Sequence, residues 1–135
     1  MGRLGLVLIA VVAAVAGCAA PTGEDRAREQ AFATAKQLAR QGEISLVSRS
    51  DLGPGSVAYL SRLVLAPDTV LGSWSKPGFA TDGDLVGWLD VAMTRTSTND
   101  VFTSGAEVTV CFRFTVRWSD DDGAQYRYTE QDCPS

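Results

Sequence analysis

From Ala106 to Trp118 the chain alternates without a break. Val108, Val110, Phe112, Phe114, Val116 and Trp118 are apolar, and Glu107, Thr109, Cys111, Arg113, Thr115 and Arg117 stand between them. Successive side chains of a β-strand point to opposite sides, so a period of two puts all six apolar residues on one face. A strand of this length with one apolar face belongs in a sheet that another layer covers.

The chain then turns back. Asp120-Asp121-Asp122-Gly123 is a turn signal, and Gln125 to Asp132 reads as the returning strand. With Asp121-Asp122-Gly123 as a three-residue hairpin loop, Gly123 supplies the left-handed residue such loops need. Trp118 then faces Tyr126, Val116 faces Tyr128 and Cys111 falls opposite Cys133. A two-residue loop on Asp122-Gly123 would set Trp118 against Arg127 and spoil the face pattern. The three-residue loop is expected even though it sets Arg117 opposite Arg127, a like-charge pair.

The earlier elements are less uniform. Thr22 and Asp25 have the spacing of a capping box, with an acid in the first turn to suit the helix dipole. From Glu24 to Gln41 the period is helical. Ala27, Ala31, Phe32, Ala35, Leu38 and Ala39 lie on one face, with Arg26, Arg28, Glu29, Lys36 and Arg40 on the other. Glu24 and Arg28 are spaced for an i, i+4 pair. Gly42 stands where a glycine would end the helix. A stripe made mostly of alanine lets a helix lie close on something flat, so a sheet is the expected partner.

Glu43 to Arg49 reads as a short strand, and Asp51-Leu52-Gly53-Pro54-Gly55 as a turn cluster. Ser56 to Leu65 fits a helix with an inner face of Val57, Leu60 and Val64, or a fully buried strand; helix is the expectation. Asp68 to Trp74 reads as a strand. So does Asp84 to Thr98, with Leu85, Leu89, Val91 and Met93 facing one way and Trp88, Asp90, Thr94 and Thr96 the other. Ser75 to Gly83 and Ser97 to Gly105 are connections.

The first eighteen residues carry an address. Met1-Gly2-Arg3 is a short positive start, Leu4 to Ala16 has no charge, and the run closes on Val15-Ala16-Gly17-Cys18. This is the layout of a secretory signal. Its apolar run falls short of the roughly 20 residues a spanning helix needs. The stretch resembles a bacterial lipoprotein precursor, with Val15 to Cys18 matching the lipobox and Val15 standing where leucine is commonest. The resemblance implies that the Cys18 thiol receives a diacylglyceryl group and that cleavage after Gly17 makes Cys18 the first residue. Residues 1–17 are then the signal peptide, residues 18–23 the lipidated cysteine and its tether, and residues 24–135 one domain. It also implies a place on the extracytoplasmic face of the cell membrane, where two acyl chains hold a protein stably and one does not.

Without residues 1–17, 118 of the 135 residues remain, which is enough for one domain and too few for two. Arg3 leaves with the signal, so 11 basic residues face 16 acidic ones, a net of −5. That balance argues against nucleic acid or an anionic headgroup surface as a partner through bulk charge. Lysine is confined to Lys36 and Lys76, and the usage resembles that of a high-GC, actinobacterial chain.

With Cys18 committed to lipid, Cys111 and Cys133 are left in a compartment where disulfides form, and a bridge between them is expected. It would contribute roughly 3 kcal/mol in the loop-entropy account. A redox or metal-binding pair is the alternative. It lacks Cys-x-x-Cys spacing and any histidine. The lack of histidine also removes Ser-His-Asp and Cys-His catalysis, and no phosphate loop or dinucleotide fingerprint occurs.

Asp82 with Asp84, and the Asp120 to Asp122 run, could serve as the paired carboxylates of a glycosidase. Both groups sit beside glycines in expected turns, where solvated aspartate belongs. A calcium site at Asp120 to Asp122 lacks the alternating ligand spacing of a calcium loop. Trp74, Trp88, Phe112, Phe114, Trp118, Tyr126 and Tyr128 could line a ligand cleft, although core is the commoner place for such residues. No catalytic residue, metal or cofactor is expected.

The expected fold is α+β, an N-terminal amphipathic helix packed on a curved antiparallel β-sheet of four to six strands. The order of elements resembles a cystatin-like or NTF2-like roll, an analogy that transmits no function. The expected function is that of a non-enzymatic, lipid-anchored binding or interaction module for an unknown protein or a small apolar ligand. An accessory subunit of a membrane or envelope complex is the alternative, and a carboxylate-dependent hydrolase a more distant one.

Overall fold

A computed structural model describes residues 22–44, 52–97 and 106–135. The lipobox residues Val15 to Cys18, residues 45–49 of the expected short strand and most of the expected 97–105 connection lie outside the described residues. The elements run α1 (Gly23–Ile44), α2 (Leu52–Leu63), β1 (Thr69–Ser75), β2 (Leu85–Thr96), β3 (Glu107–Ser119) and β4 (Gly123–Gln131). The four strands form one open antiparallel sheet in the order β1-β2-β3-β4. The helices pack against it, giving an α+β architecture.

Helix α1 begins with a reciprocal cap. The Asp25 amide donates to Thr22 Oγ1 at 3.1 Å and the Thr22 amide to Asp25 Oδ2 at 3.2 Å, so an aspartate fills the role usually taken by glutamate. Gly23, placed in the tether by the sequence, is already helical. The alanine stripe lies where expected: Ala27, Ala31, Ala35, Leu38 and Ala39 are buried and Phe32 half-buried. Arg28 reaches Glu130 on β4 at 2.8 Å.

Two expectations near the end of α1 are corrected. The helix does not stop at Gly42 but runs through it to Ile44, so Glu43 and Ile44 are helical rather than the start of a strand. Gly42 is there for close approach: a Cβ on it would stand 2.5 Å from Cδ1 of Tyr126. The turn cluster at Leu52-Gly53-Pro54-Gly55 is likewise the first turn of α2. A proline is tolerated there because first-turn amides have no helical acceptor. Downstream, Val57 and Leu60 are buried as the inner face of α2, and Val64 packs on the core just past its end.

In β2 the register slips between Leu85 and Gly87, and this bulge turns Val86 inward. Leu85, expected inside, is only half-buried, whereas Leu89, Val91 and Met93 are fully buried. In β3 the expected face holds: Val110, Phe112, Phe114 and Val116 are buried, with Val108 and Trp118 packed against the core.

The hairpin register is corrected by two residues. Trp118 faces Ala124, Val116 faces Tyr126, Phe114 faces Tyr128, and Ser119 closes the hairpin against Gly123. The turn is Asp120 to Asp122, and Gly123 takes the positive φ of 79°. An even shift keeps every side chain on its face, so alternation alone could not separate the two registers. The observed one sets Arg117 against Gln125 and Arg127 against Thr115, which removes the like-charge pair.

Cys111 therefore faces Gln131 rather than Cys133. The disulfide still forms, because the chain beyond β4 brings the Cys133 Cα within 5.2 Å of that of Cys111.

Candidate functional site

Strand β1 is an outer strand of the sheet, and no residue from Thr69 to Ser75 is charged. Its pairing to β2 is interrupted between Val70 and Gly72, so Leu71 has no partner in register. Along this margin the large apolar side chains stay in solvent: Val70 is 38 % exposed, Leu71 and Trp74 42 %, and Leu65 before the strand and Phe79 after it 72 %. Isolated exposed apolar residues are ordinary; three on one seven-residue outer strand, with two more in the segments that flank it in the chain, are not.

Trp74 pairs with Trp88 on the sheet face opposite the helices. The Arg113 guanidinium lies 4.3 Å from the Trp88 ring centroid. It is held there by a two-pronged bond to Asp90, Nε to Oδ1 and Nη2 to Oδ2, both 2.8 Å. This bond lowers the Asp90 pKa against the opposing effect of burial, and raises that of Arg113. The expected aromatic set is thus divided by the sheet. Phe112, Phe114, Tyr126 and Tyr128 are core, with Phe112 meeting Phe32 edge-on at 5.0 Å and Tyr128 at 6.1 Å. Trp118 packs at the core margin, while Trp74 and Trp88 lie across the sheet. These seven residues do not line a common cleft.

The two aspartate groups meet at the end of the sheet where β1 finishes. Asp82 Oδ1 accepts the Asp120 amide at 2.9 Å, and the Trp118 indole donates to Asp120 Oδ1 at 2.8 Å. Backbone bonds from Gly83 to Trp118 and from Trp118 to Asp84 lock the β1–β2 loop to the hairpin. Asp84 is bound by Lys76 Nζ and by the amide and hydroxyl of Thr81, each 2.8 Å away. The Lys76 bond, followed by those from Thr81, holds the Asp84 carboxyl well below the usual carboxylate range. Asp121 and Asp122 are exposed. Among the described residues, no group of three or more Cys, Asp or Glu stands close enough to hold a metal ion.

At the other end, between α1 and the chain entering β1, lies a groove of about 500 Å³. Its polar centre is Arg95, which donates to Asp68 at 2.5 and 2.9 Å and to Thr34 Oγ1 at 3.1 Å. The Asp68 bond raises the Arg95 pKa. Leu63 and Leu65 form the apolar side. The groove is built around an ion pair that satisfies itself.

Of the residues singled out in the sequence, Cys111 and Cys133 are joined, and Asp82, Asp84 and Asp120 are brought together. Sequence reasoning did not find the exposed margin of β1 or the Arg95–Asp68 and Arg113–Asp90 pairs. The absence of charge from 69 to 75 does not mark an edge strand, and the ion pairs needed the register. No helix among the described residues is long and apolar enough to cross a membrane. Comparison with protein-family models, with curated proteins and with solved structures finds no match to this chain.

Proposed function

We propose that the protein is a lipid-anchored module on the extracytoplasmic face of the cell membrane that acts by holding a protein partner, not by catalysis. The anchor is a diacylglyceryl group on Cys18, exposed by cleavage after Val15-Ala16-Gly17, and the lipobox spacing supports it. The binding reading is carried by the outer strand β1, where Val70, Leu71 and Trp74 are 38–42 % exposed, with Leu65 before it and Phe79 after it in the chain each 72 % exposed. Exposed apolar surface of this kind marks an interaction site, and an uncovered strand edge otherwise invites aggregation.

A small apolar ligand has less support, because the groove at Arg95 is centred on an ion pair. A carboxylate-dependent hydrolase has less support at Asp84, because its Lys76 and Thr81 partners keep it ionised, whereas the general acid of a carboxylate pair needs a raised pKa. The helix on an antiparallel meander further suggests a curved cystatin-like or NTF2-like roll, which by itself implies no function.

The anchor is tested by the intact mass of protein recovered from its native membrane. The expected mass begins at Cys18, includes a diacylglyceryl group and takes up no alkylating reagent before reduction. A lipid-free mass sinks the anchor. For the partner, a photo-crosslinking residue at Leu71 gives a discrete adduct in cells, and one at Ala33 on the exposed side of α1 does not. Equal labelling at both positions overturns the assignment. An integral membrane protein in the adduct selects the accessory-subunit reading.

A further inference from the structure

Building on the reading of β1 as an interaction edge, we infer that its partner is an extended peptide segment. The segment pairs along β1 as a fifth, antiparallel strand and carries basic residues at its amino end.

An outer strand presents a row of backbone donors and acceptors that an added strand can satisfy, and natural edges are usually blocked by charge or proline. From Thr69 to Ser75, β1 has neither. Its exposed Val70, Leu71 and Trp74 offer apolar contacts on the two faces of an incoming strand. An antiparallel addition continues the pattern of the whole sheet and is the slightly stronger pairing.

The charge follows from what lies where β1 ends. Lys76 neutralises Asp84 and the Arg117 guanidinium donates to the Gly83 carbonyl, but among the described residues no ion pair engages Asp82, Asp121 or Asp122, so acid stays in excess there. These acids belong to the β1–β2 loop and the β3–β4 turn, which are joined by the Asp82–Asp120 bond. Two strand spacings separate β1 from β3, about 10 Å, or roughly one Debye length at 0.1 M salt. The amino end of an antiparallel strand on β1 lies at this acidic end.

A second copy of the chain fits less well. Antiparallel self-pairing would set the acids against the other copy's Asp68 end, whose Arg95 is already paired. The same acids disfavour an anionic lipid surface against Trp74 and Phe79.

The test uses the full chain in detergent micelles and a synthetic peptide of about ten residues, with arginines at its amino end followed by alternating valine and threonine. Expected is saturable binding that newly protects β1 backbone amides from hydrogen exchange. Replacing the arginines by glutamate should weaken binding roughly tenfold or more at about 0.05 M salt, and raising the salt should shrink that difference. Leu71→Lys, and Asp121→Asn combined with Asp122→Asn, are exposed changes that should each weaken binding with the fold intact. Equal binding of the glutamate peptide overturns the basic end. Equal binding of a peptide N-methylated at alternate residues overturns strand pairing. Amide protection in β1 that appears with dimerisation, without peptide, makes a second copy the occupant and overturns the proposal. No peptide binding while the Leu71 adduct persists in cells overturns strand addition and leaves the interaction edge standing; loss of both removes the edge as well.

Discussion

Gly42 of α1 and Tyr126 of β4 meet so closely that a Cβ on the glycine would stand 2.5 Å from Cδ1 and 2.7 Å from Cε1 of the ring. The ring is buried and has little room to yield. Alanine is the better helix former by about 1 kcal/mol, but overpacking a core costs about 1–3 kcal/mol. Gly42→Ala is therefore expected to destabilise by about 1 kcal/mol in urea unfolding. In a Tyr126→Ala background the same change should stabilise by up to about 1 kcal/mol. The same sign in both backgrounds would refute the contact.

The Arg95–Asp68 pair joins β2 to the segment entering β1, and Thr34 ties it to α1. Asp68→Ala leaves a largely buried guanidinium that stays charged, with Thr34 and the Thr94 carbonyl as its remaining partners among the described residues. Breaking such a pair from one side costs about 3 kcal/mol, whereas removing both charges costs less. Asp68→Leu with Arg95→Met should thus be clearly more stable than Asp68→Ala. If the double variant is the worse of the two, the pair contributes net stability of its own.

Asp84 makes stability depend on acid. Its pKa in the folded chain is lowered from the ordinary 3.8, mainly by Lys76 and then by Thr81. The unfolded chain therefore takes up this proton first as pH falls. The contribution is complete above the unfolded value and is lost as pH drops below it toward the lower folded value. Asp84→Asn should lower the urea midpoint near pH 7 and narrow the difference between about pH 7 and about pH 3. An unchanged difference would place the acid sensitivity elsewhere.

The disulfide closes the β3–β4 hairpin across residues that are not direct cross-strand partners. Cys111→Ser with Cys133→Ser should cost at most about 3 kcal/mol, less than an open loop of that length would suggest, because the ladder already restrains it. The Phe114–Tyr128 cross-strand contact should survive in NMR spectra. A register moved by two residues in the variant would show that the bridge, not the turn, sets the pairing.

Much of the fold was legible because its signals are periodic. The alternation of 106–118 and the alanine stripe of α1 each predict one buried face, and both faces are buried in the structure. The cysteine pair was legible by elimination. The hairpin register was not, since registers two residues apart bury the same side chains; the observed one also separates Arg117 from Arg127. The candidate site was less legible still: no apolar pattern in Val70, Leu71 or Trp74 says whether another strand lies beyond them.

The sequence by itself determined the period of each strong element, the polarity of its faces and the residues available to bridge, because these depend only on neighbours along the chain. Tertiary structure decided that Gly42 is a contact rather than a stop, that Leu52–Gly55 is helix rather than turn, and that β1 is the strand left at the edge. The first and the last of these depend on which distant residue arrives within a few ångströms, Tyr126 against Gly42 or Trp88 against Trp74, and local propensity carries no information about that.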